Sequence, residues 1–303
     1  METAKLPSNM PLLDDNNIEV AKRSQISYIW FRFKKNKLAM IGLFLLIIMA
    51  VVSFGSVFFY SYQDVIVQDV RNQFAPPGTP GHLLGTDNYG RDMLGRLLYG
   101  GRLSLSMGFG IVSISLLIGG ALGAISGYYG GRIDNLIMRV MDVFLAIPQI
   151  MMAMAIVAVL GSELQNLLIA MTISNIPKFA RIVRSSILQV RGLEYIEAAH
   201  ACGTGDVRII AKHIVPNAVG PIIVQTTLQI AQSIIGIAGL SFIGLGVQSP
   251  NPEWGTMLSE GKIFMRQHAF LVLEPGIAIM LAVLSFNLVG DGLRDALDPR
   301  LKN

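Results

Sequence analysis

Residues 103–131 read LSLSMGFGIVSISLLIGGALGAISGYYGG, 29 positions without one charged side chain. An α-helix needs about 20 mostly apolar residues to cross the hydrocarbon core of a bilayer, so this run predicts a membrane span. Inside it Gly119, Gly123, Gly127 and Gly131 recur every four residues and share one helix face. Glycine at that spacing lets a second backbone approach closely in lipid, as a static contact or a moving one.

Working outward, residues 38–60 are uncharged over 23 positions, 143–162 over 20 and 214–252 over 39. The last run exceeds one helix, and its Gly and Pro content after Gly239 predicts a long helix followed by a non-helical loop. Two interrupted segments complete the set: 164–182, which runs into Lys178 and Arg181, and 269–290, which contains Glu274 and Pro275. Glu274 stands either in solvent near the interface or in a transport path. The expectation is an all-α integral membrane protein of about six transmembrane helices.

Only 15% of the 303 residues are charged, against roughly 25% in soluble domains. A water-soluble globule and a disordered chain are both excluded. Charge sorting sets the orientation. With both termini cytoplasmic, segments 1–37, 130–142, 178–213 and 291–303 hold 18 of the 24 Lys and Arg, while 61–102, 161–164 and 248–268 hold six. That asymmetry is the positive-inside pattern, and it accounts for the net charge of +4 without nucleic acid as a partner.

The start is polar and mixed in charge, unlike a secretory signal. Tyr28, Trp30, Phe31 and Phe33 precede Lys34, Lys35 and Lys37, predicting an interfacial helix. The domain reading is therefore a cytoplasmic segment 1–37, a first span 38–60, an extracytoplasmic loop 61–102, a five-helix core 103–292 with a cytoplasmic loop 183–216, and a tail 293–303. A lone cysteine, Cys202, excludes a disulfide framework within the chain. No nucleotide-binding P-loop, no H-E-x-x-H, no G-x-S-x-G and no G-x-G-x-x-G occurs. His82, His200, His213 and His268 are scattered without ligand spacing. No catalytic residue, metal site or cofactor of its own is expected, and the chain is not read as an enzyme.

The centre of the cytoplasmic loop runs Glu194-Tyr-Ile-Glu197-Ala198-Ala199-His-Ala-Cys202-Gly203-Thr-Gly-Asp206. Leu193, Ile196, Ala199 and Cys202 share a face at helical spacing, Gly203 falls at a left-handed C-cap, and Asp206 is placed to cap a second helix. This predicts a helix, a tight turn and a returning helix, whose apolar face meets either a protein partner or the lipid surface.

Glu197, Ala198, Ala199, Gly203 and then Pro216 resemble the EAA loop of binding-protein-dependent ATP-binding-cassette (ABC) importer permeases, with His213 and Val215 where the family pattern has Ile and Leu. Further stretches resemble the C-type permease subunit of the dipeptide, oligopeptide and nickel branch. These are Asn36 to Leu43, His82 to Asp92, Leu240 to Gly255 and Gly290 to Arg300. The resemblance implies a type I importer permease fold in a bacterial or archaeal cytoplasmic membrane, forming half of a path for short peptides. It implies a homologous second permease, two ATPase subunits that bind ATP and Mg, and an extracytoplasmic substrate-binding protein. The EAA loop would be the coupling helix against an ATPase subunit; no substrate-binding residue is assigned. Alternatives are nickel or another small solute within the family and, outside it, an ion-driven secondary carrier or a membrane scaffold.

Overall fold

The computed structural model describes residues 25–297. The expectations for Met1, for the tail beyond Leu297 with Asp298 and Arg300, and for Asn303 lie outside the described residues. Among the described residues every regular element is a helix.

Helix α1 spans Gln25–Lys35, the segment expected to be helical ahead of the first span. Phe33 is buried while Trp30 and Phe31 are exposed, and the Lys34 and Lys35 ammonium groups lie 5.1 and 4.6 Å from the centres of the Trp30 and Phe31 rings. Asn36 turns the chain into α2 (Lys37–Gly55). Its Oδ1 accepts from the Ala39 N–H at 3.1 Å, the N-cap bond that satisfies one of the free amides of a first turn. Its Nδ2 donates to Asp295 at 3.1 Å, tying the elbow to the last helix, α12 (Phe270–Leu297).

The short α3 (Tyr62–Ile66) opens the outer loop with a reciprocal Ser61–Asp64 cap. The Ser61 amide and then its hydroxyl hold the Asp64 carboxyl below its usual range. Helix α4 (Met93–Tyr129) starts ten residues before the uncharged run, because Asp92 caps it by accepting from the Gly95 N–H at 2.7 Å. Four spans are long and apolar enough to cross a membrane: Lys37–Phe58, Met93–Tyr129, Asp206–Phe242 and Phe270–Leu297.

The segment 143–162 is not one straight span. Its residues divide between α5 (Gly131–Leu145) and α6 (Gln149–Leu160), whose axes bend by 82°. Pro148 at the break has no N–H to continue the ladder. Alone, α6 is about 18 Å long at 1.5 Å per residue, short of a ~30 Å hydrocarbon layer. Helix α7 (Leu164–Arg191) continues well past 182, so the first residues of the 183–216 loop belong to it.

The centre of the bundle is α4 against α7, joined by α10 (Val215–Phe242). The glycine face explains the contact. A Cβ on Gly119 would lie 2.5 Å from the Ile176 carbonyl oxygen, one on Gly123 would be nearer still to that of Ala180, and one on Gly127 would be 3.0 Å from that of Arg184. Three glycines four apart thus meet three carbonyls four apart. Gly131 leaves this series, having positive φ at the start of α5 with nothing near its absent side chain. Helices α12 and α2 close one flank, and α11 (Trp254–Gly261) packs its Trp254 into the outer end of the core.

Candidate functional site

Beyond the end of α7, Leu193 starts α8 (Glu194–Ala201). Gly203 has φ +76°; its N–H donates to the His200 carbonyl at 2.9 Å and the Thr204 N–H to the Ala199 carbonyl at 3.1 Å. This is a left-handed Schellman cap, which satisfies carbonyls the helix end leaves free. Glu197 and Ala198 face outward, Ala199 is partly buried and Pro216 lies in the first turn of α10, after a wide π turn over Ile210–Ile214.

Asp206 does not cap the returning helix. Gly205 occupies that position in α9 (Asp206–Ile209), and the Asp206 carboxylate accepts instead from the Tyr128 hydroxyl at 2.8 Å. The same hydroxyl lies 3.3 Å from His200 Nε2. Tyr128, at the end of α4, therefore joins the two arms of the helix–turn–helix to the bundle. Beneath it Ile196, Ile209 and Ile214 pack with Val183, Ile187 and Ile222. Of the predicted apolar face only Ile196 is fully buried. Leu193 stays exposed on the far side with Tyr195 and Val207, and Cys202 is exposed too.

On the opposite side, Asp87 and Glu260 clamp two fully buried arginines. Arg91 donates to Asp87 at 2.6 Å and to Glu260 at 2.7 Å, and Arg96 Nη2 donates to Glu260 at 3.0 Å. Arg96 Nε lies 3.5 Å from Asp87. Two cations face two anions, the arrangement a low-dielectric site requires. Glu253, also buried, caps α11 through the Thr256 N–H at 2.9 Å and accepts from Ser104 at 3.0 Å. Glu274 sits one turn into α12, half-buried, with Oε2 buried and unpaired.

A third polar cluster was missed in the sequence because most of its members are uncharged. Gln149 and Gln229 both donate to Asn175 Oδ1, at 2.9 and 2.6 Å, and Asn175 Nδ2 donates to the Met171 carbonyl at 2.9 Å. Lys178 donates to Gln149 Oε1. Further along α7, Arg181 pairs with Asp142 at 2.6 Å and Arg184 with Asp134 through two 2.5 Å bonds. The signal for these pairs was the Lys178, Arg181, Arg184 spacing opposite Asp134 and Asp142. No cluster of His, Cys, Asp or Glu suited to a metal ion occurs among the described residues.

A family described as binding-protein-dependent transport system inner membrane component matches residues 119–303, more than half of the chain. The chain belongs to that family. Residues 24–77 also match the N-terminal transmembrane domain of oligopeptide transport permease C. The chain is 47% identical over 272 residues to the dipeptide transport system permease protein DppC of Alkalihalophilus pseudofirmus, covering 90% of this chain and 89% of that one. It is 40% identical to DppC of Haemophilus influenzae, covering 96% and 100%. It is 41% identical to the glutathione transport system permease protein GsiD of Pectobacterium atrosepticum, covering 98% and 97%. Its fold is shared with an inward-facing structure of the MetNI methionine ABC transporter, at a TM-score of 0.56 and 18% identity, covering 67% of this chain and 96% of that one. This member of the inner membrane component family is an integral membrane protein with an ABC-transporter permease fold.

Proposed function

We propose that this chain is a permease subunit of an ABC importer for short peptides. The observation that carries the reading is end-to-end similarity to dipeptide permeases of two organisms, together with a helix–turn–helix knob buttressed from within by Tyr128 that exposes Leu193, Tyr195 and Val207 beside Glu194 and Glu197. The knob, with Glu197, Ala198, Ala199, Gly203 and Pro216, docks on an ATPase subunit. ATP and Mg bind to two such subunits, a homologous second permease completes the path, and an extracytoplasmic binding protein delivers the substrate. This chain itself catalyses no reaction. Nucleotide-driven closure of the ATPase pair moves the knobs, and Tyr128 passes that displacement to α4.

The test is reconstitution in liposomes of this chain with its partner permease, ATPase subunits and binding protein. Dipeptide uptake should require every component and ATP. Glutathione, carried by name in the GsiD relative, is the peptide-like competitor to compare. Uptake by this chain alone under an ion gradient would refute the reading in favour of a secondary carrier.

A further inference from the structure

Of the four cations on α7, Lys178 stands furthest from the end that leads into α8, and it meets no anion. Arg184 and Arg181 each meet a carboxylate of α5, but the third acceptor, just beyond the 82° bend, is the Gln149 amide. Among the described residues Lys178 makes no ion pair and one hydrogen bond. An ammonium group has three donors, so two remain free.

The position is informative. Lys178 lies about 9 Å further from the cytoplasmic end of α7 than Arg184, at 1.5 Å per residue, so it is the deepest cation of the series. One turn deeper stands Asn175, fully buried and holding Gln149 and Gln229 from α6 and α10. The neighbouring Arg181–Asp142 pair is more than half exposed, at 57% and 60%. A face carrying an open ion pair is not suited to lipid tails, so the half-buried Lys178 opens toward water or protein.

From this arrangement we infer that Lys178 is a contact site for the C-terminal carboxylate of the transported peptide, at the inner part of the path. Its two free donors match the two oxygens of a carboxylate, and the Gln149–Asn175–Gln229 amide chain holds the ammonium group at the bend where three helices meet. Arg181 and Arg184, already neutralised, do not compete for the anion. The inference rests on the peptide reading above and adds to it a determinant of substrate charge.

The test uses the whole transporter in liposomes and compares a dipeptide with its C-terminal amide at saturating binding protein. Lys178→Met should lower the carboxylate-to-amide uptake ratio about tenfold, and Lys178→Arg should restore most of it. An unchanged ratio overturns the inference, as does an equal loss for both peptides, which marks a structural role. In a Cys202→Ser background, Lys178→Cys should react with a water-borne thiol reagent, and the dipeptide should slow that reaction severalfold; no reaction, or no protection, also overturns it. A Lys178→Met effect that disappears in purely neutral lipid assigns the anion to a headgroup and overturns it too. If the wild-type transporter takes up neither peptide while its ATPase is active, the peptide reading itself fails, a result distinct from insensitivity at Lys178.

Discussion

Replacing Gly123 by Ala tests the α4–α7 contact quantitatively. In an open helix, Gly→Ala stabilises by roughly 0.5–1 kcal/mol because glycine loses more backbone freedom on folding. At Gly123 the added Cβ collides with the Ala180 carbonyl oxygen and lies 3.0 Å from the Arg184 nitrogen. Relief requires α4 and α7 to part locally by about 1 Å, since a carbon sits comfortably about 3.3–3.6 Å from a carbonyl oxygen. Overpacking of this kind costs about 1–3 kcal/mol; at Gly123, the tightest of the three approaches, the upper half of that range applies, and the net effect is a loss of about 1–2.5 kcal/mol. Gly119→Ala should resemble it, with its 2.5 Å approach, and Gly127→Ala should be milder at 3.0 Å. Gly110, on the same helix with nothing within 4 Å of its absent side chain, provides the control and should be neutral or slightly stabilised. The assay is the temperature at which the detergent-purified protein loses its monodisperse elution profile. If Gly110→Ala proves as destabilising as Gly123→Ala, or Gly123→Ala is neutral, the close-approach reasoning is wrong.

Removing the Tyr128 hydroxyl by Tyr128→Phe keeps the ring in its apolar cluster but deletes the bond to Asp206, a loss of about 0.5–1.5 kcal/mol; ATP hydrolysis by the complex should persist while peptide moved per ATP falls. At Gly203, Ala should weaken coupling through a strain of roughly 1–2 kcal/mol at φ +76°, and Asn, which tolerates that conformation better, should recover part of the loss; equal behaviour of the two contradicts the backbone explanation. Glu260→Gln strips an anion from the Arg91–Arg96 pair and should destabilise by about 3–5 kcal/mol, read as loss of folded protein after extraction. In a Cys202-free background, an impermeant thiol reagent should reach cysteine at the exposed position 89 in intact cells and spare position 195, also exposed; the reverse labelling sinks the orientation.

Much of the bundle was legible because a membrane span is written in what it omits: charge-free runs marked α2, α4 and α10, and an apolar run interrupted by Glu274 marked α12. The same criterion failed where charges are neutralised. Arg102 ended the apparent span ten residues short of the start of α4, although Arg96 within that stretch is fully buried between Asp87 and Glu260, and α7 carries Arg181 and Arg184 against partners on α5. It failed again at 143–162, which is equally apolar straight or bent; Pro148 alone marked the break. In the 183–216 loop, the Gly203 turn was readable from local stereochemistry. The fate of Asp206 was not, since its partner Tyr128 lies 78 positions earlier.

The clamp around Arg91 and Arg96 has a consequence for biogenesis. Glu260 follows these arginines by 169 and 164 positions, so the outer loop is translocated long before its second anion has been synthesised. During that interval Asp87 is the one clamp carboxylate present to balance two cations, and with the loop outside, as we propose from the charge sorting, that is the side where positive charge is least favoured. The outer face therefore closes late, when α11 arrives, and the last third of the chain supplies the latch that holds the first loop in place.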